Sequence, residues 1–549
     1  MFLIESNGVI TRIPVDLPRG SKKQVTVNLQ MGYPPPTAQL ITDRGSFEAK
    51  IPENMGSEPG VLLVSDNAAG LGLKKPQSRG RVSNEVALQE LFVKPELLPE
   101  RASAYYGIAA VILADGAERL SDAAFDALRN YMLLGGTILI SGGASAPVLV
   151  DSRWRPFLPV TDTGTKTLTS RARETISGLS LQGEFTVRLG RVHPDAAIKT
   201  SYRGMPMVVS RGFGAGRILF VAFNPFERPI DSWPGKGEFL QALNFTSSYK
   251  GMEHFLASAN LGSEYGYGYS SSSGYSGVYS GQPDDPFEAK PPETANVIMI
   301  LLIYVVLVVP LNLITLRKLG KGEWAWVTTP IISLGFAAVF FRFAAGLYSA
   351  DMSLFVVGTV VGDERSNTAY FLGNTQMFFP RGGGYDLKMD GIEMAMNQER
   401  GYGFGSRASQ PIELVDGGQL RIPSMQVTNL AFREFSFGQT LPSGRWVSLS
   451  KVGLQVTVTN VSPYTLSGIE VRTPDYLCLA NTLAPGKSWK GKLIKSKQKS
   501  ELSGAMGSSA NRIKVSGLMT GIRPGPRIGK LSDRRSAINF VYFLEGTNE

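Results

Sequence analysis

Nucleophiles and bases are scarce in this chain, and that scarcity is the first constraint on its chemistry. There is one cysteine, Cys478, and there are two histidines, His193 and His254. A single thiol excludes an intrachain disulfide and any multi-cysteine metal site. Tyr476, Leu477 and Leu479 around Cys478 read as a buried strand, so its expected role is structural. The histidines are far apart in sequence, which leaves little for a His-based metal site or a catalytic triad. The other candidates close apolar runs. Val61-Leu62-Leu63-Val64-Ser65-Asp66 and Ile108-Ala109-Ala110-Val111-Ile112-Leu113-Ala114-Asp115 both end in a carboxylate, and Thr137-Ile138-Leu139-Ile140-Ser141-Gly142-Gly143 runs into Ala144-Ser145. If these runs are parallel strands, Asp66, Asp115, Ser141 and Ser145 gather at the carboxyl end of one sheet, the usual ligand site of such sheets. Ser145 as nucleophile would need His193 as its base, with Asp195 nearby. His193-Pro194-Asp195 reads equally well as a turn. No metal and no cofactor is expected.

A second group is rich in glycine. Arg211-Gly212-Phe213-Gly214-Ala215-Gly216-Arg217 lacks the Lys-Ser/Thr of a phosphate-binding loop, and a strand follows it rather than a helix. It reads as the turn of a β-hairpin.

The elements that must position these residues follow from periodicity. Residues 1–55 alternate apolar and polar, as in Val9-Ile10-Thr11-Arg12-Ile13, and read as a β-sandwich segment that begins inside a domain. The run over 121–134 is helical: Ser121 suits an N-cap, Asp122 the helix dipole, and Phe125, Leu128 and Met132 share a face until Gly135-Gly136 stops it. Strand, helix and buried strand in succession predict a parallel α/β domain over 56–258, closing in a helix from about 238 to 257. A Gly/Ser/Tyr-rich linker occupies 259–292. Beyond 350 the chain is β again. Gln455-Val456-Thr457-Val458-Thr459-Asn460 alternates, and the turn at 483–488 is of the kind found in Ig-like sandwiches, so one or two sandwiches are expected in 350–549.

Between these halves lies a membrane hairpin over 293–349. The run 295–316 carries no charge, and about 22 residues make a helix of about 33 Å, enough to cross a bilayer core of about 30 Å. A second run, 324–349, carries only Arg342, near its far end. Arg317, Lys318 and Lys321 fill the short loop between the runs, whereas Asp284, Asp285, Glu288 and Glu293 dominate the flank before them. The positive-inside rule then puts the loop in the cytoplasm and both soluble parts outside. Trp324 and Trp326 fit the interface, and Arg342 is placed to snorkel to the headgroups. The opening residues lack the pattern of a signal peptide, so an upstream start is expected.

The α/β segment resembles the class I glutamine amidotransferase-like fold in a degenerate form. The resemblance rests on 110–115, on the helix ending at Gly135-Gly136, on 137–143, and on 211–217 followed by Phe220-Val221-Ala222-Phe223. The whole chain resembles a little-characterised set of two-pass bacterial envelope proteins. Arg317-Lys318-Leu319-Gly320, then Glu323-Trp324-Ala325-Trp326, and the later Phe378-Phe379-Pro380-Arg381-Gly382-Gly383-Gly384-Tyr385-Asp386-Leu387 carry that likeness. A working amidotransferase places a Cys nucleophile on the turn after such a strand, and this chain has Ala144-Ser145 there.

The net charge is +10, and the excess lies between Lys487 and Arg535. That stretch is a solvated basic face or a surface for anionic headgroups, and no nucleic-acid motif accompanies it. The expected protein is a non-enzymatic binding or scaffolding component of the bacterial envelope. It would sit two-pass in the cytoplasmic membrane, with the bilayer and a membrane protein, such as a transporter permease, as partners. The alternative is a ligand sensor or hydrolase-like enzyme using the carboxyl end of the sheet.

Overall fold

The computed structural model describes residues 2–6, 9–13, 18, 20–21, 37–42, 45–50, 58–73, 87–170, 174–246, 249–250, 252, 294–348, 352–389, 391–397, 412–415, 419–429, 431–495, 512–526 and 533–545. The chain opens with β1 (Phe2–Ser6), β2 (Val9–Ile13), β3 (Thr37–Thr42) and β4 (Gly45–Lys50).

The apolar runs then become buried strands. β5 (Gly60–Val64), β6 (Gln89–Val93), β7 (Ile108–Leu113) and β8 (Thr137–Ser141) run parallel. Helix α1 (Asp122–Leu133) crosses between β7 and β8. Ser121 caps it, its Oγ accepting from the Ala124 N–H at 3.1 Å. Phe125, Leu128 and Met132 are buried, each worth about 1.5–3 kcal/mol of removal from water. Gly135, at φ 117, ends the helix where a residue with a side chain would be strained.

After β8 come the one-turn helix α2 (Pro147–Val150) and β9 (Val160–Ser170), then the two-residue strands β10 (Thr175–Ile176) and β11 (Leu179–Ser180). β12 (Gly183–Val192) pairs with β9 as a separate ribbon. β13 (Ala197–Tyr202), β14 (Met205–Phe213) and β15 (Gly216–Val221) complete the main sheet, in the order β13-β14-β15-β8-β7-β5-β6. β15 is parallel to β8, and β14 turns back on it as the hairpin expected at the glycine-rich turn. Helix α3 (Lys236–Ala242) is interrupted at Asn244, φ 60, and residues 245–246, 249–250 and 252 are again helical; the end of the helix expected from about 238 to 257, like the linker 259–292, lies outside the described residues.

The remainder is β-rich: β16 (Ser353–Asp363), β17 (Thr368–Phe379), β18 (Gly383–Met389), β19 (Ile392–Asn397), β20 (Ile412–Val415), β21 (Gln419–Val427), β22 (Ala431–Pro442), β23 (Val447–Val452), β24 (Gln455–Asn460), β25 (Thr465–Arg472), β26 (Tyr476–Ala480), β27 (Ser488–Lys492), β28 (Ile494–Lys495), β29 (Arg512–Thr520) and β30 (Asp533–Glu545). A nine-stranded sheet, β19-β22-β17-β16-β30-β29-β25-β26-β28, packs on the three-stranded β23-β24-β27 through Trp446, Val456, Val458, Ile469 and Tyr542. Cys478 is buried on β26.

Residues 1–55 read as a β-sandwich segment, and their strands find further partners late in the chain. The sheet runs β18-β21-β20-β2-β1-β3-β4, and β2 pairs in parallel with β20, Val9 opposite Ile412. The strand beside β2 comes from some 400 residues further on. The α/β domain is likewise not free-standing. Val361, Tyr370, Leu372 and Phe543 of the nine-stranded sheet belong to its core.

Two membrane-crossing helices are expected over 293–349; among the described residues one helix, Ile298–Lys318, is long and apolar enough to cross a membrane. Pro310 removes an amide from it, and the turn Leu307–Leu311 widens to a π-helix there. The helix Ala325–Tyr348 follows and lies against it. Tyr304 and Ser333 hydroxyls are 3.0 Å apart, Asn312 Nδ2 donates to Thr329 Oγ1 at 3.2 Å, and Thr328 Oγ1 donates to Asn312 Oδ1 at 3.0 Å.

Candidate functional site

The carboxyl ends of β5, β7, β8 and β15 meet as the sequence anticipates. The Asp66 N–H donates to the Asp115 carbonyl at 3.1 Å. Ser145 Oγ donates to Asp115 Oδ1 at 2.8 Å, and Asn224 Nδ2 lies 3.4 Å from both oxygens of that carboxylate. Asp66 is paired with Arg119, which also reaches Glu96 at 2.9 Å. Ser141 is brought to the same end but not into the cluster: its hydroxyl is buried and donates to the Leu113 carbonyl at 3.0 Å, tying two strands together. Asn224 and Arg119 were not anticipated. Asn224 could have been found, because it follows β15, the next parallel strand of the same sheet.

The turn after β8 is where a nucleophile elbow would stand. Gly143 has φ 83 and Ala146 φ 38, so the backbone is tight. Arg188 on β12 holds it by donating to the Ala144 carbonyl at 3.1 Å and pairing with Asp162 at 2.7 Å. Burial raises the Asp162 carboxyl, and its contacts with Arg188 outweigh that and leave it lowered. Only the single turn of α2 follows, so a strand-to-helix elbow with a full helix dipole behind it is missing here. Ser145 points its proton at a carboxylate. His193, its expected base, is engaged elsewhere: Nδ1 faces Asp195 and Nε2 lies 3.3 Å from Arg211 Nη2. Groups that satisfy one another in this way hold a loop, and an activated nucleophile needs the imidazole that Ser145 does not have.

His193 instead borders a second cluster, between the α/β domain and the β-rich part. Its centre is the glycine-rich turn. The Gly214 N–H donates to Asp363 Oδ2 at 2.9 Å, Arg512 Nη1 donates to the Gly214 carbonyl at 2.7 Å, and Arg365 Nη2 donates to the Gly212 carbonyl at 2.5 Å. Arg512 and Arg365 both pair with Asp363, which is 2% exposed. Arg211 reaches Asp195 at 2.9 Å and Glu545 at 2.8 Å, and donates to the carbonyls of Pro156 and Leu158. Three guanidinium groups thus meet three carboxylates, all nearly buried except Glu545. Burial alone would raise the Asp195 carboxyl; hydrogen bonding to Arg211 and the charges of Arg211 and Arg365 win and hold it at about 2. Burial raises Asp363 too, and Arg365 and Arg512 leave it lowered. Glu364 is pushed up by burial beside Glu545 and Asp363.

Gly214 is irreplaceable in this latch. Its φ is 56, and a Cβ there would lie 2.4 Å from Leu133 Cα. The sequence marked 211–217 as a turn, and what it grips was invisible, because Asp363, Arg365 and Arg512 lie some 150 to 300 residues away.

Arg317 and Lys318 sit in the last turn of their helix, where cations suit the dipole. Lys321 Nζ lies 5.8 Å over the Trp324 ring. Trp324 is 56% and Trp326 88% exposed, and Arg342 is exposed.

No known protein family and no curated protein matches the chain. Similarity to solved structures covers about a third of it. A cytoplasmic protein from Salmonella typhimurium LT2 aligns over 33% of this chain and 96% of its own, at 12% identity and a TM-score of 0.24. The yeast delta-COP-I mu-homology domain in complex with a Dsl1 peptide aligns over 36% and 96%, at 7% identity and 0.19. A β-galactosidase from Rahnella sp. R3 aligns over 34% and 30%, at 15% identity and 0.22. At these scores they carry no argument about fold or function. What describes the chain is its own architecture: a mixed α/β sheet latched to β-rich sheets, and an apolar helix long enough to cross a membrane.

Proposed function

We propose that this protein is a non-catalytic scaffolding or binding component of a bacterial envelope, held in the cytoplasmic membrane by a two-helix hairpin. Both soluble parts lie on the outer face, and only the basic loop 317–323 reaches the cytoplasm. The observation that carries this reading is strand pairing across the hairpin. β2 precedes the apolar helices and β20 follows them, and the two are neighbours in one sheet. A single crossing at Ile298–Lys318 would separate them by a bilayer, so the pairing supports a second crossing before Ser353. The helix Ala325–Tyr348, of 24 residues, is long enough for that return. Asn312, Thr328, Thr329, Tyr304 and Ser333 satisfy one another between the helices, which suits a pair that faces lipid.

The non-catalytic part of the reading is supported by the cluster at the carboxyl end, where Ser145, Asn224 and Asp115 spend their polar groups on one another. The α/β domain is then a degenerate amidotransferase-like module that offers a surface to a partner such as a permease. The test is complementation of a strain lacking the protein by a chain carrying Asp115→Asn and Ser145→Ala. Full complementation is expected. Failure by a chain that still folds and inserts would overturn the non-catalytic reading.

A further inference from the structure

We propose that the outer face of the three-stranded sheet β23-β24-β27 binds an acidic polysaccharide, a chain of uronate sugars, along rows of hydroxyl and ammonium groups. This names the class of ligand for the binding role inferred above, and it rests on that role.

Alternation along the three strands separates two faces. Val447, Val456 and Val458 turn inward and are buried in the core shared with the nine-stranded sheet. The opposite face is open, and its register sets the side chains in rows. Ser448, Thr459 and Ser488 face one another in the first, where the Thr459 and Ser488 hydroxyls are 2.8 Å apart. Ser450, Thr457 and Lys490 make the second. In the third, Gln455 stands between Val452 and Lys492. Lys490 and Lys492 are exposed, as are Ser450 and Ser488, and Val452 is 71% exposed. Rows follow at about 7 Å along the strands, and side chains within a row at about 4.8 Å.

Solvated faces ordinarily mix both signs of charge, and this one carries cations only: no Asp or Glu occurs in 443–467 or 476–495. Ammonium groups donate to carboxylates, while Ser, Thr and Gln both donate and accept, as sugar hydroxyls require. A polymer with a carboxylate on each sugar offers both kinds of group at a regular repeat, and weak contacts along it reinforce one another. A second copy of this chain docked face to face would set lysine against lysine. The bilayer lies elsewhere. β16 starts at Ser353, just after the helix that ends at Tyr348, and its 11 residues extend about 33 Å. Trp446, which leads into β23, stacks on Tyr542 with ring centres 5.2 Å apart, and Tyr542 pairs with Gly362 near the far end of β16. The face therefore begins at the end of β16 away from the hairpin.

The experiment is biolayer interferometry of the full chain in neutral detergent against immobilised polygalacturonate, dextran and polyglutamate. Saturable binding to polygalacturonate is expected, weakened about tenfold or more by Lys490→Gln with Lys492→Gln. Thr457→Val, which keeps a strand-forming residue, should weaken it less. Lys166→Gln, which alters an exposed lysine on β9, should leave it unchanged. No saturable binding, an equal loss in Lys166→Gln, or dextran or polyglutamate bound as tightly as polygalacturonate would overturn the proposal. The chain in detergent has no sidedness, so failure here leaves the two-pass placement standing.

Discussion

Replacing Asp363 by Asn tests the latch at its most buried carboxylate. Asp363 is 2% exposed, accepts from the Gly214 N–H at 2.9 Å, and is the carboxylate paired with Arg512, itself 8% exposed. Asn keeps the volume and one acceptor oxygen but removes the charge. Arg365 retains Glu545 at 3.3 Å, whereas Arg512 keeps the Gly214 carbonyl but loses its paired carboxylate. Breaking a buried pair in this way costs about 3–5 kcal/mol, and the remaining carboxylates of the cluster favour the lower end. At about 1.4 kcal/mol per factor of ten, the folded population relative to unfolded falls by two to three orders of magnitude. The assay is denaturant unfolding of the solubilised full chain, followed by tryptophan fluorescence. Asp363→Asn combined with Arg512→Met removes both charges and should be less destabilised than the sum of the two single variants. A loss below about 1 kcal/mol for Asp363→Asn, or simple additivity in the pair, would refute the reasoning.

Gly214→Ala should cost at least about 3 kcal/mol, because the added Cβ meets Leu133 and the φ of 56 disfavours a side chain, and the same unfolding assay checks it. Ser121→Ala should cost about 1 kcal/mol by removing the cap on α1, read as a lower melting temperature with unchanged fold. Acid should loosen the latch. Asp195 and Asp363 are lower in the folded chain than the usual carboxylate, so the stability they contribute is present above the ordinary carboxylate range and is lost in acid, for Asp195 as pH falls towards about 2. Glu364, pushed up by burial, acts in the opposite sense, so Glu364→Gln should raise stability near neutral pH, measured as a melting curve at each pH.

The sequence revealed local features well and distant pairings poorly. The apolar runs before Asp66 and Asp115, the cap at Ser121 and the hairpin at 211–217 were legible because period, capping and turn chemistry act over a few residues. The grouping of Asp66, Asp115 and Ser145 was legible for the same reason, since buried parallel strands fix where their ends meet. The latch was not, because nothing in Gly212 or Gly214 tells which charges approach their backbone. Nor was the pairing of β2 with β20, since alternation in 1–55 states that a strand needs neighbours and not where they come from. Ser141 misled for a subtler reason. It stands at the right end of the right strand, but a hydroxyl one residue too early turns inward and bonds the next strand.

The most direct test of the central claim is two-sided labelling of three single-cysteine chains, built with Cys478→Ser. Lys166→Cys lies before the membrane helices, Val452→Cys after them, and Lys321→Cys between them; Lys166 is exposed and Val452 is 71% exposed. An impermeant maleimide applied from outside should label Lys166→Cys and Val452→Cys alike, and Lys321→Cys only once the membrane is opened. Labelling of Lys166→Cys and Val452→Cys from opposite sides, or of Lys321→Cys together with them, would contradict the account.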